Sequence, residues 1–457
     1  MITSQEISIA RHCISHALSC GASAIRITLN KCITDSFTML NGELDKVTHS
    51  SDRSIYIYLF ADGRFGTFST NRFCTDELND FISKAIDMVR MLGEDCYRRL
   101  PDPERTEKEA KTGRELGLFD DNYLNISTDS MLANARRLSL YHKLVSDKGC
   151  RNYRLISEEC EYSCTSDDSY TIDSQGFEGR HSETSFGTFS EITIEDQDRN
   201  KYSGFWWDTT PKADTLNLEE ASRKALERAV SQIGPKKRRG GRYRMVVDST
   251  VASRLVSPIL TALNAASIQQ KMSFLADSLE KKTFCSGMTL MDLARTPGKN
   301  GSRLYDTEGV ATKDTEIIRE GVIKQFFVNT YMAGKTGYRP TIEDISRPCM
   351  LPYLKGKDLK SEEKDVSLED ILRFCRNGIL VTGFNGGNCN PVTGDFSYGI
   401  EGFAFSKGKI THPLREMLIT GNMINLWNSL IAAGSDARSS SRWQIPTLAF
   451  EDVVFSA

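Results

Sequence analysis

From Ala24 to Thr70 the chain alternates apolar and polar residues in successive short runs: AIRITLN, ITDSFTML, Glu43 to His49, SIYIYLF and RFGTFST. A period of two sets one face of each run on a core and the other in water, the pattern of half-buried strands. Asn41-Gly42 and Asp62-Gly63 fall between runs, and these residues tolerate the positive backbone torsions of tight hairpin turns. The turns fix the register of an antiparallel meander, because a slip of one residue would carry every apolar side chain to the wrong face.

Helical periodicity flanks this meander at about Ser4–Ser19, Thr75–Leu92 and Ser130–Asp147. Strand alternation returns from Tyr153 to Phe205, with turns expected at Gln175-Gly176 and Glu178-Gly179. Leu216 to Ile233 reads as a helix stopped by Gly234 and Pro235. After the basic run PKKRRGGR, YRMVVDS predicts a short buried strand, and Thr250 to Ser267 a helix that Pro258 should kink or divide. Hairpins and helices then alternate: RLYDTEG, EIIREGVIKQFFVNT, SLEDILRFCRN, GILVTGF, EGFAFSKGKITHPL and the amphipathic MINLWNSLIAAG. Lys355 to Val366 is dense in charge and is expected to be mobile. A chain of 457 residues exceeds what one hydrophobic core organises. Strand runs followed by helices favour α+β over a doubly wound parallel sheet. The expectation is two α+β domains of antiparallel or mixed sheet with packed helices, 1–234 and 235–457, divided at the basic run.

Several function classes are disfavoured. A formal net charge of -3 argues against direct nucleic-acid binding, and Lys236, Lys237, Arg238 and Arg239 read as a solvated linker. Neither GxGxxG nor a lysine-ended phosphate loop occurs, which disfavours a nucleotide enzyme. No apolar run approaches the roughly 20 residues needed to span a bilayer, and the start, MITSQEISIARHCISHALSCGAS, reads as an amphipathic helix rather than a secretory leader. A cytoplasmic protein is expected, with its 12 cysteines as thiols. Cys160 and Cys164 fall in a strand-like segment and make a poor zinc pair.

The chemistry is sparse. His12, His16 and Cys20 recur every four residues on the first helix, but ligands on one helix cannot close a tetrahedron, and a partly exposed helix with two histidines is the ordinary reading. His49, His142, His181 and His412 are isolated. There is no GxSxG and no marked cysteine nucleophile. Glu161, Asp167, Asp168 and Asp173 read as a solvated turn rather than paired carboxylates, and Phe205, Trp206 and Trp207 as aromatics buried at a domain junction. One stretch stands apart: Asn385 to Gly402, NGGNCNPVTGDFSYGIEG, too rich in glycine for a core element and too patterned for a slack loop. On spacing alone it is a glycine-laden hairpin connection or a functional surface.

This stretch resembles the N-P-x-T-G-D-F-S signature of the PmbA/TldD family, the so-called modulators of DNA gyrase. The resemblance runs from about Gly21 to the C-terminus through GASAIRITLN, NGELDKV, DGRFGTFST, DTEG, IREGVIKQFFVNTYMAGKTG, EGFAFSKGKI and ITGNM. It implies a heterodimer in which a TldD-like subunit, its zinc on an HExxxH helix, cleaves unfolded peptides beside a metal-free TldE-like subunit. Such pairs process peptide precursors and degrade an antitoxin, which makes the gyrase name indirect. At the matching place after YRMVVDS this chain has Ser249 to Pro258 without histidine or glutamate, and near the C-terminus Ser439, Ser440 and Ser441 stand where metal-bearing members have a thiolate. The resemblance therefore implies a TldE-like (PmbA-type) member with no catalytic or metal-ligating residue of its own and no cofactor, zinc residing in the partner. Asn390, Thr393, Gly394, Asp395, Phe396 and Ser397 are expected to line the peptide surface or the subunit contact. A homodimer is the expected form of an isolated chain. The alternatives are a self-sufficient homodimeric hydrolase with an unrecognised site and a regulatory protein-binding module.

Overall fold

The structure, a computed structural model, describes residues 1–146, 152–357 and 365–457. Its fold is α+β, and the described residues form two compact units: Met1–Ser231 with Arg295–Thr312, and Gln232–Ala294 with Lys313–Ala457. Among the described residues no helix is long and apolar enough to cross a membrane.

The first unit is built on six strands: β1 (Ala24–Leu40), β2 (Glu43–Ala61), β3 (Arg64–Thr70), β4 (Tyr153–Asp173), β5 (Glu178–Asp196) and β6 (Lys201–Thr210). They pair antiparallel in the order β3-β2-β1-β4-β5-β6. The turns fall where expected, with positive φ at Asn41 and Gly42 (52° and 82°) and at Asp62 and Gly63 (50° and 71°). Ile25, Ile27 and Leu29 pack with Ile55, Ile57 and Leu59 beneath α1 (Ser4–Ser19) and α2 (Thr75–Arg90), a helix whose Ile82, Ile86 and Val89 enter the same core. Thr3 and Glu6 form a capping box at the start of α1. His12 and His16 meet Asn79 and Ser83 of α2 by hydrogen bonds of 2.9–3.1 Å, with Cys20 beside His16, so the stripe is a helix–helix contact.

Several local expectations are corrected. The helix expected over Ser130–Asp147 is two: α3 (Thr128–Leu138) and α4 (Tyr141–Ser146), while Asp147 lies outside the described residues. The fully buried carboxylate of Glu158 accepts from the Leu140 and Tyr141 amides at 2.8 and 2.9 Å and from the Ser139 hydroxyl, which ends one helix and caps the next. Glu178-Gly179 lies in β5 rather than in a turn; the turn centres on Gly176, with Asp173 accepting from the Gln175 and Phe177 amides. The acidic cluster is no solvated turn. Glu161, Asp167 and Asp168 lie within β4, and Asp168 is buried against Arg180. Cys160 and Cys164 are core thiols, and burial raises the latter to about 11. The helix expected from Leu216 begins later, as α5 (Glu220–Ser231). It lies on β6, where Trp206 packs under Lys224 and Arg228, while Phe205 and Trp207 point the other way and are exposed. Arg295–Thr312 comes from the second half of the sequence yet joins this unit. Leu304 packs on Ala110, Leu116 and Leu118, Tyr305 meets Phe177 edge-on, and Arg295 pairs with the buried Glu107.

Among its described residues the second unit carries twelve strands: β7 (Gly241–Val247), β8 (Leu290–Asp292), β9 (Thr315–Arg319), β10 (Val322–Ile323), β11 (Pro348–Met350), β12 (Tyr353–Leu354), β13 (Gly378–Phe384), β14 (Asn388–Cys389), β15 (Asp395–Ser406), β16 (Lys409–Asn422), β17 (Leu430–Ala433) and β18 (Leu448–Ser456). β10-β9-β8-β11 form a small antiparallel sheet. In the larger sheet β7 pairs parallel to β13 and antiparallel to β18, so β7-β13-β15-β16-β18 closes on itself as a five-stranded barrel. Closure pairs both sides of these five strands, while β12 and β14 stay at the margins of the sheet, paired to β17 and β15 alone. Its helices are α6 (Ser253–Ala262), α7 (Ala265–Gln269), α8 (Thr330–Thr336), α9 (Leu368–Cys375) and α10 (Met423–Asn428). Pro258 sits inside α6 instead of dividing it; the break comes at Asn264, whose side chain caps α7 by accepting from the Ala266 amide. The segment MINLWNSLIAAG splits into α10 and β17. The basic run is solvated at Lys236, Lys237 and Arg239 and is tethered to the second unit: the Lys236 amide donates to the Pro413 carbonyl, Lys237 lies 3.7 Å from Glu416, and Arg238 stacks on Tyr243. Within the charged stretch Lys355 to Val366, residues 358–364 lie outside the described residues.

Candidate functional site

The glycine-rich stretch connects β13 to β15 and folds back as a hairpin in which Asn388 faces Ser397 and Cys389 faces Phe396. The Asn390 amide donates to the Asp395 carbonyl at 2.7 Å and the Gly394 amide to the Asn390 carbonyl at 2.8 Å. Gly387 has φ +85°, and a Cβ there would lie 2.0 Å from the Ser397 carbonyl oxygen, so only glycine fits. Gly394, at φ +77°, packs against the ring of Phe274.

A polar clip fixes the tip. Asp395 accepts from Thr393 Oγ1 at 2.7 Å and from Asn422 Nδ2 at 3.0 Å, while the same amide nitrogen reaches the Thr393 carbonyl at 2.8 Å. Asn422 also caps α10, and the Met423 amide donates to the Gly394 carbonyl. Donation from Asn422 and then Thr393 holds the Asp395 carboxyl below its ordinary range, so it stays ionised at neutral pH. Strand alternation sorts Asp395, Phe396 and Ser397, and the turn before them places Asn390, Thr393 and Gly394. Asn390, Thr393, Asp395 and Ser397 are exposed, whereas Gly394 and Phe396 are buried. Phe396 stacks on Tyr398 with ring centroids 5.5 Å apart and belongs to the core of this unit.

Behind the hairpin lies a cleft of about 260 Å³ bounded by α6, Phe274, Asn388, Cys389, Pro391 and Tyr398. α6 follows β7 through a turn in which Asp248 accepts from the Thr250 amide at 2.9 Å, and it buries Leu255, Val256 and Ile259. Its opposite side presents Arg254, Ser257, Pro258, Thr261 and Ala262 to the cleft. The Arg254 guanidinium donates to the Gly387 carbonyl at 3.1 Å and lies 5.3 Å from the centroid of the Tyr398 ring, tying helix to hairpin. Burial, aided by the Asp395 charge, raises the Cys389 thiol, so it is no thiolate nucleophile. A larger open cleft of about 530 Å³ in the first unit, lined by Asn134, Arg137, Tyr162 and residues 213–219, carries charges of both signs and no comparable convergence.

The donor set at α6 does not fit zinc. A guanidinium, a proline and aliphatic hydroxyls cannot replace imidazole, carboxylate or thiolate ligands. Among the described residues no three His, Cys, Asp or Glu side chains gather to hold a metal ion. In the C-terminal loop Ser441 instead accepts from the Trp443 amide, and Gln444 pairs with the strand at Pro348. Arg254, Phe274 and Tyr398 were not singled out from sequence. The period-two pattern of DFSYGIEG does put Phe396 and Tyr398 on one side, but nothing in it shows which helix covers them.

Comparison with known proteins matches residues 27–89 to PmbA/TldA metallopeptidase domain 1, 126–233 to the central domain and 240–457 to the C-terminal domain. A solved structure from Bacteroides thetaiotaomicron, of a protein named for modulation of DNA gyrase, is 37% identical with a TM-score of 0.91 and covers 100% of both chains. Metalloprotease PmbA of Escherichia coli O157:H7 is 24% identical over 92% of this chain and 89% of its own length. TldE from Thermococcus kodakarensis, at 18% identity and a TM-score of 0.81 over 98% of this chain and 100% of its own, shares the fold.

Proposed function

Because the chain belongs to the PmbA/TldD metallopeptidase family, we propose that it is the TldE-like, non-catalytic companion in a heteromeric TldD/TldE-type zinc peptidase that cleaves unfolded peptides. The observation that carries this reading is the face of α6 at the cleft, which bears a cation and hydroxyls where the catalytic sister is expected to bear HExxxH. Zinc, expected in the partner, would supply Lewis acidity toward the scissile carbonyl and its attacking water. This chain supplies shape: a closed barrel, a clipped hairpin and a row of exposed polar groups at Asn390, Thr393, Asp395 and Ser397 that meets the sister subunit or an extended peptide. An unfolded peptide pairs through its main chain, which selects for lack of structure more than for sequence and suits both peptide maturation and antitoxin degradation.

Reconstitution with an HExxxH-bearing sister tests the reading. Ser397→Ala, which leaves untouched the bond that Asn390 Oδ1 accepts from the Val392 amide at 2.9 Å, should lower assembly or peptide turnover of the mixed complex by about tenfold, while the thermal midpoint of the chain alone stays near that of the parent. Unchanged assembly and turnover would remove the hairpin from the interface.

A further inference from the structure

We infer that the cleft between α6 and the hairpin is a receptor for the C-terminal residue of a peptide, its carboxylate held by Arg254 and its side chain lodged between Phe274 and Tyr398. This inference rests on the companion reading and gives the vacated catalytic position a task of its own. Arginine carries five N–H donors in a planar fork, and the protein engages one of them, at the Gly387 carbonyl. That bond and the Tyr398 ring orient the guanidinium in advance, so little freedom is lost when an anion arrives. Among the described residues no carboxylate forms an ion pair with Arg254. None of the ten residues lining the cleft is acidic, and Asp395 on the same hairpin is engaged by Thr393 and Asn422. The cleft therefore holds an exposed guanidinium, with no ion-pair partner among the described residues, beside Pro258, Pro391, Phe274 and Tyr398. Its volume of about 260 Å³ leaves room for a side chain rather than a folded element. A terminal carboxylate takes the fork in two parallel bonds, whereas a terminal amide has one acceptor and no charge.

The test uses the purified full chain and three blocked tripeptides: one ending in phenylalanine with a free carboxyl, its C-terminal carboxamide, and a carboxamide carrying an internal glutamate. Titration calorimetry at low salt should show the free acid binding about tenfold tighter than either amide. The acid should also slow alkylation of Cys389, read by peptide mapping because Cys74 and Cys96 are exposed as well. Arg254→Gln should erase the acid–amide difference, and Thr261→Phe, which fills the cleft while leaving the guanidinium, should abolish binding and the protection of Cys389. Equal binding of all three peptides, no binding to the parent, or a glutamate amide matching the acid would overturn the inference. Should the mixed complex still turn over peptides in that case, the companion reading stands and only the cleft assignment falls.

Discussion

Phe396→Ala is expected to lower the unfolding free energy of the barrel unit by about 3–5 kcal/mol, the usual cost of emptying a packed phenylalanine site. Phe396 is 5% exposed, stacks on Tyr398 and lies against Gly421, where a Cβ would sit 3.1 Å from its ring. Its neighbours are held by a closed barrel, so the cavity cannot collapse cheaply. Chemical denaturation of the isolated chain checks this, with Ser397→Ala as the contrasting exposed neighbour. Any loss of peptide turnover in Phe396→Ala then reports a weakened fold, whereas a loss in Ser397→Ala without a stability change reports contact. A cost below about 1 kcal/mol would show that Phe396 is not the core residue described.

Asp168→Ala should cost the first unit a comparable amount, roughly 3–5 kcal/mol, because it strands Arg180. The Asp168 carboxylate, with a side chain 1% exposed, accepts from Arg180 Nε at 2.9 Å and Nη2 at 2.6 Å, from Ser182 Oγ at 2.7 Å and from the Ile2 amide at 2.6 Å. Burial alone would raise this carboxyl, but Arg180, Ser182 and Ile2 outweigh it and hold it below the ordinary range. With its folded value below its unfolded one, the group stabilises fully at pH above the ordinary carboxylate value of about 3.9, and the contribution fades as pH falls toward the folded value. The stability gap between the parent and Asp168→Asn should therefore be level from pH 7 to about 5 and narrow below about 4. A gap constant down to pH 3 would mean that the carboxyl is not depressed.

Local signals were legible wherever a short segment settles its own structure. Asn41-Gly42 and Asp62-Gly63 determine their hairpins because the backbone there must reach positive φ, and the short apolar alternations around them set the strands. What failed depended on distant partners. Glu158 breaks the helix after Leu138 by accepting from the Leu140 amide 18 residues away, Arg180 turns Asp168 from a surface acid into a buried ion pair, and Arg295–Thr312 returns to the first unit through Leu304 and Glu107. The hairpin around Asn390 was legible as a patterned glycine loop. Its sorting into a buried Phe396 and an exposed Ser397 needed the strand's orientation, and the cleft needed α6, more than 120 residues earlier in the chain.

Metal content and peptide hydrolysis, measured on the same preparation of this chain alone and after mixing with an HExxxH-bearing sister, test the central claim most directly. The expected result is substoichiometric zinc, no hydrolysis and a melting midpoint indifferent to chelator for the chain alone, with chelator-sensitive turnover arising only in the mixture. One zinc per chain together with chelator-sensitive hydrolysis in the absence of any partner would contradict it.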